Sequence, residues 1–409
     1  MNQVNNQFFL MDNVIQNYAW GSKTALVDLF KIDNTSNAPQ AEIWMGAHSR
    51  GSSSIHTNQK VIPLSEVIQN AQEMMLGDNT KLKFGELPYL FKVLAAETAL
   101  SIQVHPSKQQ AEHGYALEEQ LGIPLNASNR NYKDPNHKPE LVYALTDYQA
   151  LNGFRSYQAI IDSFAPFKHS AIKTILSQFK SNPTATGLRI FFQALLELDG
   201  ENKCSALAEL YALADQQFTI KNTNTNEIEV NSTLALVRKL CQQYPEDIGL
   251  FSPLLLNVIT LCPGQAMYLS ACTPHAYIQG TALEIMANSD NVLRAGLTAK
   301  HIDVAELIRC TRFVPTPFED LLVKPENVDI EQRFPTQVED FSFSILEHPL
   351  EYKLVVNSAE ILFAIDEDAT LRHQNGEILH LKKGQSAFIP AFTQQYVISS
   401  SGRIARAYN

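Results

Sequence analysis

The spacing of apolar residues divides the chain into stretches that predict different secondary structure. From about residue 17 to 152, short alternating runs stand between turn residues such as Gly46 and Gly85, which is typical of β-strands. From about residue 156 to 250, apolar residues recur every three or four positions, which indicates amphipathic helices. After Pro253 the β pattern returns and continues to the end. We therefore expect a mainly β fold with an α-helical insertion.

The helical stretch is divided into separate helices by turn signals. Asn182-Pro183 and Asp199-Gly200 interrupt the period and indicate breaks between helices. Lys221–Glu227 is polar throughout and predicts a surface loop. The periodic apolar positions, which should form the helical core, are Ile160, Ile161, Phe164, Ile172, Ile175, Leu176, Phe179, Phe191, Leu195, Leu198, Leu207, Leu210 and Leu213.

Two distant segments share one pattern. Residues 262–275 read CPGQAMYLSACTPH, and residues 383–395 read KGQSAFIPAFTQQ. In both, Gly-Gln is followed in the same frame by an aromatic, an aliphatic, an Ala and a Thr residue. The first segment ends at His275, where the second has Gln395. Such a repeat predicts two β modules of one plan, of which only the first binds a metal.

A short alternating segment places three polar side chains on one face. Residues 100–106 alternate, so Ser101, Gln103 and His105 lie together on one side of a predicted strand. Pro106 disfavours the helical region for the preceding residue and so supports an extended backbone. Burying these polar groups unpaired costs about 2–7 kcal/mol each. The face therefore holds either a satisfied hydrogen-bond network or a metal ion.

Two further segments add possible ligands to this set. Pro139 favours an extended Lys138, so Lys138 and Glu140 lie on one face, although such a segment is more often a solvated edge. His275 and Tyr277 share a face in the third segment. Two imidazoles, one carboxylate and one amide oxygen suit Zn²⁺, with the amide as the unusual member of the set.

The repeat resembles the motifs of cupin barrels. The spacing from Gly264 to His275 is similar to the second cupin motif, and Gln103 stands where cupins carry the first His of a His-x-His pair. Glu140 lies farther along the chain than is usual, which implies a long intervening loop. The resemblance implies two cupin-like (jelly-roll) β-barrel domains plus a helical domain. We predict a catalytic cupin domain formed by residues 1–155 and 251–324, a helical insertion at residues 156–250, and a metal-free cupin-like domain at residues 325–409.

Charge and cysteine content narrow the function classes. The net charge of −11 over 409 residues argues against nucleic acid and anionic membranes as partners. Surface charges are screened beyond about 8 Å, so local cations can still bind a small phosphorylated ligand. The five cysteines are odd in number and never spaced as CxxC, which indicates reduced thiols. No early basic residue precedes the short apolar run at residues 8–11, so we expect no signal peptide and a cytoplasmic location.

A polar block at residues 280–298 follows His275. Asp290 and Arg294 in this block have the i,i+4 spacing of an ion pair, which would contribute a few tenths of a kcal/mol (about 0.2–0.5) if exposed. Alternatively, Arg294 faces an anionic substrate, because its planar donor fork suits a phosphate or an enediolate.

Together these blocks closely resemble type I mannose-6-phosphate isomerases (phosphomannose isomerases). The resemblance spans nearly the whole chain and is weakest in the helical insertion and the last β domain. One departure is Ala299, where the family often has Pro, and we expect a looser local turn there. The matching segments are residues 17–21, 41–48, 100–106, 137–140 and 262–303.

The resemblance implies a zinc-dependent aldose–ketose isomerase that interconverts mannose 6-phosphate and fructose 6-phosphate through a cis-enediol(ate). It implies Arg294 as the catalytic arginine and leaves the general base open. The zinc ligands it implies, for one ion per chain, are Gln103, His105, Glu140 and His275. Candidates for the base are Lys138, His137, Asp290 and Glu284. Candidate substrate contacts are Trp20, Ser101, Lys108, Tyr277 and Lys300, of which Trp20 either stacks on the sugar or packs in the wall.

Two other functions fit parts of this pattern. A non-haem iron cupin oxygenase would use His105, His275 and Glu140 as a facial triad, but Gln103 as a fourth ligand would reduce the open positions for oxygen. A non-catalytic sugar-phosphate-binding cupin would not need a metal together with candidate bases. We expect a small phosphorylated sugar as the partner, no nucleic acid or membrane, and a monomer, although a dimer is compatible with the sequence.

Overall fold

The computed structural model describes residues 6–57, 60–216 and 225–409 of the chain. In its first part the strands are β1 Phe9–Asp12, β2 Val14–Gln16, β3 Glu42–Met45, β4 Ser54–His56, β5 Val61–Pro63, β6 Tyr89–Ala96, β7 Ile102–Val104, β8 Glu140–Ala144 and β9 Tyr148–Phe154. The helices of this part are α1 Ala25–Phe30, α2 Leu64–Asn70, α3 Gln72–Leu76, α4 Asp78–Lys83 and α5 Lys108–Gln120.

Helices fill the second part of the chain, as the apolar period predicts. They are α6 Tyr157–Phe164, α7 Ser170–Ser181, α8 Ala185–Leu196, α9 Gly200–Gln216, α10 Thr225–Gln243 and α11 Ser252–Leu255, with a 3-10 turn at Ile248–Phe251. The predicted apolar positions join one cluster around Phe164, Phe179 and Phe191, so burial of these faces holds the insertion together. Of the predicted loop Lys221–Glu227, residues 221–224 lie outside the described residues. Residues 225–227 begin α10, so the loop prediction is wrong there.

Strands return after the helical part, which confirms the predicted mainly β fold with an α-helical insertion. They are β10 Leu256–Leu261, β11 Ala266–Leu269, β12 His275–Ala287, β13 Leu293–Gly296, β14 Glu326–Val328, β15 Glu331–Phe334, β16 Ser342–Leu346, β17 Tyr352–Val355, β18 Glu360–Ala364, β19 Ala369–Arg372, β20 Ile378–Leu381, β21 Ser386–Ile389, β22 Gln395–Ser400 and β23 Ile404–Tyr408. The remaining helical elements are α12 Val304–Cys310 and 3-10 turns at Phe318–Asp320 and Ala391–Thr393. No helix within these described stretches is long and apolar enough to cross a membrane.

Two large sheets organise the strands. The proximal sheet has the order β10-β9-β12-β6-β3-β2, with β7, β8, β11 and β13 paired to it. The distal sheet has the order β14-β15-β16-β23-β18-β21-β1-β4-β5, and a four-stranded sheet has the order β17-β22-β19-β20. The first strand of the chain belongs to the distal sheet, because β1 pairs with β21 at Phe9 and Phe388. The three-domain division by residue limits stays a prediction.

The proximal and distal sheets pack through one apolar cluster. Phe91 and Val93 on β6 join a buried cluster with Phe343 and Phe388 of the distal sheet, and the rings of Phe91 and Phe343 lie 6.0 Å apart. Because side chains alternate along a strand, the intervening Lys92 faces the other side of the proximal sheet. Apolar packing on one face therefore leaves the opposite face of the proximal sheet for polar residues.

The two copies of the repeat adopt the same local structure. Gly264 and Gly384 both have positive φ, at 91° and 79°, a conformation that glycine adopts without strain. Gln265 and Gln385 each accept a hydrogen bond through Oε1 from the backbone N–H three residues earlier, at 2.8 and 2.9 Å. The prediction of two modules on one plan is therefore confirmed at this turn.

Candidate active site

Three predicted ligands converge beneath the polar face of the proximal sheet. The ligand atoms of His105, Glu140 and His275 all lie within 4.8 Å of one another, and all three side chains are buried. His105 Nε2 lies 3.3 Å from Glu140 Oε1, and His275 Nε2 lies 3.4 Å from Glu140 Oε2. One carboxylate thus stands between two imidazole nitrogens, which is an arrangement that one metal ion can share.

Strand register explains why residues from distant segments meet here. His275, the first residue of β12, pairs with Gln103 of β7, and Gln103 also pairs with Arg294 of β13. Directly paired residues of antiparallel strands point to the same face, so these three side chains form a row. Glu140 begins β8, which also pairs with β12, and it reaches the row from the neighbouring side. The register therefore places Gln103 beside His275, and its role as a ligand stays a prediction.

Each imidazole is oriented by its second ring nitrogen. His105 Nδ1 is 2.7 Å from the carbonyl oxygen of Asn291, and His275 Nδ1 is 2.9 Å from that of Thr273. A carbonyl only accepts, so Nδ1 donates and Nε2 keeps its lone pair. His105 Nε2 is buried and makes no hydrogen bond of acceptable geometry, although Glu140 is close. A buried nitrogen without a hydrogen-bond partner, aimed at a carboxylate, fits a divalent cation.

The electrostatics favour the forms of these side chains that ligate metals. Burial lowers the pKa of His105 to about 4, against the opposing effect of Glu140, so its imidazole is neutral at neutral pH. Burial alone would raise the pKa of Glu140, but the positive charge of Lys138 holds it well below its usual range. The site therefore presents a neutral imidazole at His105 and an ionised carboxylate at Glu140.

The ligand group lies beneath an open cleft of about 440 Å³. A small cavity of about 50 Å³ at its base is lined by Glu140, His275 and Gln103. Gln103 and Lys138 line both spaces, so they mark where the base of the cleft reaches the ligand group. Predicted substrate contacts that line the cleft are Trp20, Ser101 and Lys300, and Tyr277 lines the small cavity. Trp20 also stacks against Tyr18, with ring centroids 5.8 Å apart.

Cations gather in the cleft. Arg294, Lys300 and Arg50 all line it, and burial together with the charges of Arg294 and Arg50 lowers the pKa of Lys300. Arg50 was not recognised from the sequence. Asp290 contacts Arg50 Nη1 at 3.0 Å and His48 Nε2 at 3.7 Å, so it does not form the simple i,i+4 pair with Arg294 that the spacing suggested. The cleft can therefore hold an anionic group close to the ligand cluster.

A buried ion network next to the ligands was also missed by the sequence analysis. Lys92 Nζ lies 2.8 Å from Glu284 and 3.8 Å from Glu42, and all three side chains are buried. Burial alone would lower the pKa of Lys92, but Glu284 and Glu42 raise it, so the ammonium stays charged. The available signal was a single Lys inside the apolar run of β6, since an unpaired charge is rarely buried.

Tyr277 connects this ion network to the ligand group. Its hydroxyl oxygen lies 2.7 Å from Glu140 and 2.8 Å from Glu284. The single proton of this hydroxyl can serve only one carboxylate at a time. Burial raises the pKa of Glu284, in opposition to Lys92.

Two predicted site residues lie outside the ligand group and line neither the cleft nor the small cavity. His137 Nε2 lies 3.0 Å from both carboxylate oxygens of Asp340, a residue that precedes β16 of the distal sheet. Lys108 Nζ contacts the carbonyl oxygen of Pro135 and the side chain of Asn136, and about half of its side chain is exposed. The structure does not bring these two side chains to the ligand group, and their roles stay predictions.

The fold and the site together define a mainly β protein with a buried His₂Glu group, built to hold one metal ion beneath a cationic cleft. Family models match three parts of the chain: the catalytic domain of phosphomannose isomerase type I at residues 8–157, its helical insertion domain at residues 167–256, and the cupin domain of mannose-6-phosphate isomerase at residues 330–409. The chain belongs to the type I phosphomannose isomerase family, and its cupin domain is thereby established.

Relatives and solved structures agree with this assignment. The mannose-6-phosphate isomerase of Salmonella typhimurium is 47% identical over 97% of this chain and 98% of its own length. The human mannose-6-phosphate isomerase is 36% identical over 87% of each chain. A crystal structure described as mannose 6-phosphate isomerase (holo; zinc bound) superposes with a TM-score of 0.91 at 46% identity, covering 99% of this chain and 100% of the other.

Proposed function

We propose that the protein is a zinc-dependent aldose–ketose isomerase that interconverts D-mannose 6-phosphate and D-fructose 6-phosphate through a cis-enediol(ate). The observation that carries the proposal is the buried His105–Glu140–His275 group at the base of a cleft rich in cations. The names of the relatives supply the substrate, and the zinc-bound solved relative supplies the metal.

Gln103, His105, Glu140 and His275 would hold the zinc ion. Two imidazoles, an ionised carboxylate and an amide oxygen are a donor set that zinc accepts, and the orphaned Nε2 of His105 supports the fit. When bound, zinc supplies a Lewis acid that stabilises negative charge on sugar oxygens by several kcal/mol, about 3–5.

The side chains of the cleft would position the sugar phosphate. Arg294, Lys300 and Arg50 offer a phosphate or enediolate three positive charges within one cleft, and an arginine can bind such a group through two parallel hydrogen bonds. Ser101 and Trp20 line the same cleft and are the proposed sugar contacts. Tyr277 is buried against two carboxylates, so its position supports a role in orienting them more than direct substrate contact.

Three of the four candidate bases lie where a proton could be exchanged with the sugar. Lys138 lines both the cleft and the small cavity, 3.3 Å from Glu140, which makes it the best-placed candidate. Asp290 lines the cleft, and Glu284 lines only the small cavity. His137 faces Asp340 instead, so its position gives it no support as the base.

A coupled isomerase assay tests the proposal. The purified protein should convert mannose 6-phosphate, lose this activity after chelation, and recover it when zinc is added back. A folded, zinc-loaded protein that leaves mannose 6-phosphate unchanged would contradict isomerase activity and favour a sugar-phosphate-binding protein. Stoichiometric iron together with oxygen consumption would instead favour the oxygenase.

A further inference from the structure

Asn291 lies behind the ligand group and contacts it through its backbone. The residue is fully buried, and its carbonyl oxygen accepts the hydrogen bond from His105 Nδ1 at 2.7 Å. The carbonyl that orients His275 belongs to Thr273, only two residues away, and so comes with the local turn. His105 depends instead on a residue 186 positions along the chain, so its orientation requires that a distant loop be held in place.

The side chain of Asn291 holds that loop against the segment that leads to Glu140. Its Nδ2 donates to the carbonyl oxygens of Asp134 and Asn136 at 2.7 and 2.8 Å, and its Oδ1 accepts from the backbone N–H of Lys133 at 2.6 Å. These three partners lie in residues 133–136, directly before His137 to Glu140. One amide thereby satisfies three backbone groups of this segment.

A second set of hydrogen bonds joins the same two segments. The carboxylate of Asp134 accepts from Ser289 Oγ at 2.8 Å and from the backbone N–H of Asp290 at 2.7 Å. We call residues 133–136 and 289–291 the loop clasp. Asp290, in the middle of the clasp, is a cleft residue, so the same bonds fix both the ligand group and part of the substrate cleft.

We propose that Asn291 is a positioning residue for the metal centre. Its carbonyl sets the tautomer and direction of His105, while its side-chain amide fixes the distance between that imidazole and the segment carrying Glu140. Loss of partners that orient ligands in this way typically lowers metal affinity by about 10- to 100-fold. The proposal rests on the proposed function only for the identity of the metal.

Metal release measured on the full chain tests this role. Zinc-loaded wild type, Asn291→Ala and Asn291→Asp would be mixed with a chelating dye, and cobalt-loaded samples would be compared by their d–d absorption. Asn291→Asp keeps the size of the side chain but removes the two amide donors. Asn34→Ala is the matched control, because Asn34 also donates to two backbone carbonyls, at 2.8 and 2.9 Å, and neither it nor those partners line the cleft.

We expect both Asn291 variants to release zinc about 10- to 100-fold faster than wild type and to show an altered cobalt spectrum, whereas Asn34→Ala should match wild type in both. A merely structural role would lower the melting temperature without changing either metal readout. If the Asn291 variants do not fold, Ser289→Ala tests the proposal instead. It removes only the hydrogen bonds of one hydroxyl from the loop clasp and should also increase the rate of zinc release.

Folded variants whose release rates and cobalt spectra equal those of wild type would overturn the proposal. The result of the metal-release test is independent of the result of the isomerase assay. A wild type that binds zinc but does not isomerise mannose 6-phosphate contradicts the function, while the comparison of metal release still tests the loop clasp.

Discussion

The proximal and distal sheets each have a buried glutamate at the first residue of equivalent strands, β8 and β18. The two glutamates have different partners. Glu140 begins β8 opposite Leu269, and Glu360 begins β18 opposite Ile389. Both carboxylates are buried. Each lies within hydrogen-bond distance of a tyrosine hydroxyl, at 2.7 and 3.1 Å. In the proximal sheet the remaining neighbours are two imidazoles and the ammonium of Lys138, whereas in the distal sheet they include a guanidinium.

The register identifies where that guanidinium comes from. Arg406 on β23 stands between Leu362 and Ser344, just as Glu284 on β12 stands between Val142 and Lys92. The distal sheet thus has a cation on the strand where the proximal sheet has a carboxylate. A buried carboxylate needs a positive partner. Arg406 contacts both oxygens of Glu360, whereas the cation beside Glu140 is Lys138, which contacts Oε1 and also lines the open cleft.

A pocket of about 380 Å³ also opens in the distal module. Among its charged lining residues, Arg406 contacts both glutamates, with its Nη1 3.1 Å from Glu331 and its Nε 3.0 Å from Glu360. These groups satisfy one another inside the protein. Arg406 is therefore paired within the wall of its pocket, whereas Arg294 and Lys300 line the open proximal cleft.

The strongest way to break the comparison is to remove a ligand from the proximal module. His275→Ala should lose zinc and more than about 100-fold of the activity, because it deletes a proposed ligand and not merely a residue that supports one. Zinc content per chain and the coupled assay measure both effects.

Gln395→Ala is the matched distal control for His275→Ala. It occupies the equivalent position in the repeat and should keep zinc and activity. A zinc-free His275→Ala that stays fully active would exclude ligation, and selective zinc loss in Gln395→Ala would overturn the division between the modules.

Removing Arg406 should destabilise the distal sheet and leave the ligand group of the proximal sheet unchanged. Arg406→Ala leaves Glu360 buried without its cation, which should lower the free energy of unfolding by about 3–5 kcal/mol. Denaturant unfolding measures this loss. Arg372→Ala, at an exposed pair with Glu351, should cost less than about 1 kcal/mol and serves as the control. An Arg406→Ala protein as stable as wild type would mean that Arg406 is not the cation that stabilises the buried Glu360.

Substitution of Arg294 should distinguish metal binding from catalysis at the proximal site. Arg294→Ala should keep zinc, because Arg294 is not a proposed ligand, and should lose about 10²- to 10³-fold in kcat through lost stabilisation of negative charge. Lys23→Ala, at an exposed cation that does not line the cleft, should leave kcat unchanged. Unchanged turnover in Arg294→Ala would remove this residue from the mechanism.

The sequence predicted the metal group well because local patterns carry it. His105, Glu140 and His275 each lie in a short segment whose alternation or spacing is visible without the fold, and Gln103 follows from the same alternation. Lys92 was missed because a single charge within an apolar strand gives no clue to its partners. Glu284 and Glu42 reach it only through pairing with two other strands.

Other features depend on contacts that no local pattern encodes. The pairing of β1 with β21 joins the two ends of the chain, and the bond from His105 to Asn291 spans two loops. In the distal repeat, Gln394 adopts a positive φ of 59°, and Gln395 turns to an exposed bond with Gln374. Tyr396 is buried instead, so the inward-facing residue that follows the motif lies one position later than in the first copy of the repeat. Substitution of Gln for His is therefore only part of the difference between the repeats.

The smallest predicted effect concerns acid stability of the distal network. Burial alone would raise the pKa of Glu331, but hydrogen bonds from Ser344 and Arg333 and the charge of Arg406 lower it. Because the unfolded carboxyl has the higher pKa, the unfolded state binds more protons as the pH falls below about 4.5, and stability decreases with falling pH. Glu331→Gln should therefore be less stable than wild type near pH 7, and the difference should shrink as the pH falls towards 3. Glu319→Gln, at an exposed carboxylate, should follow wild type at every pH. Denaturant unfolding from pH 7 to 3 measures this convergence, and a constant difference between Glu331→Gln and wild type would show that packing, not the ionised carboxylate, accounts for the effect.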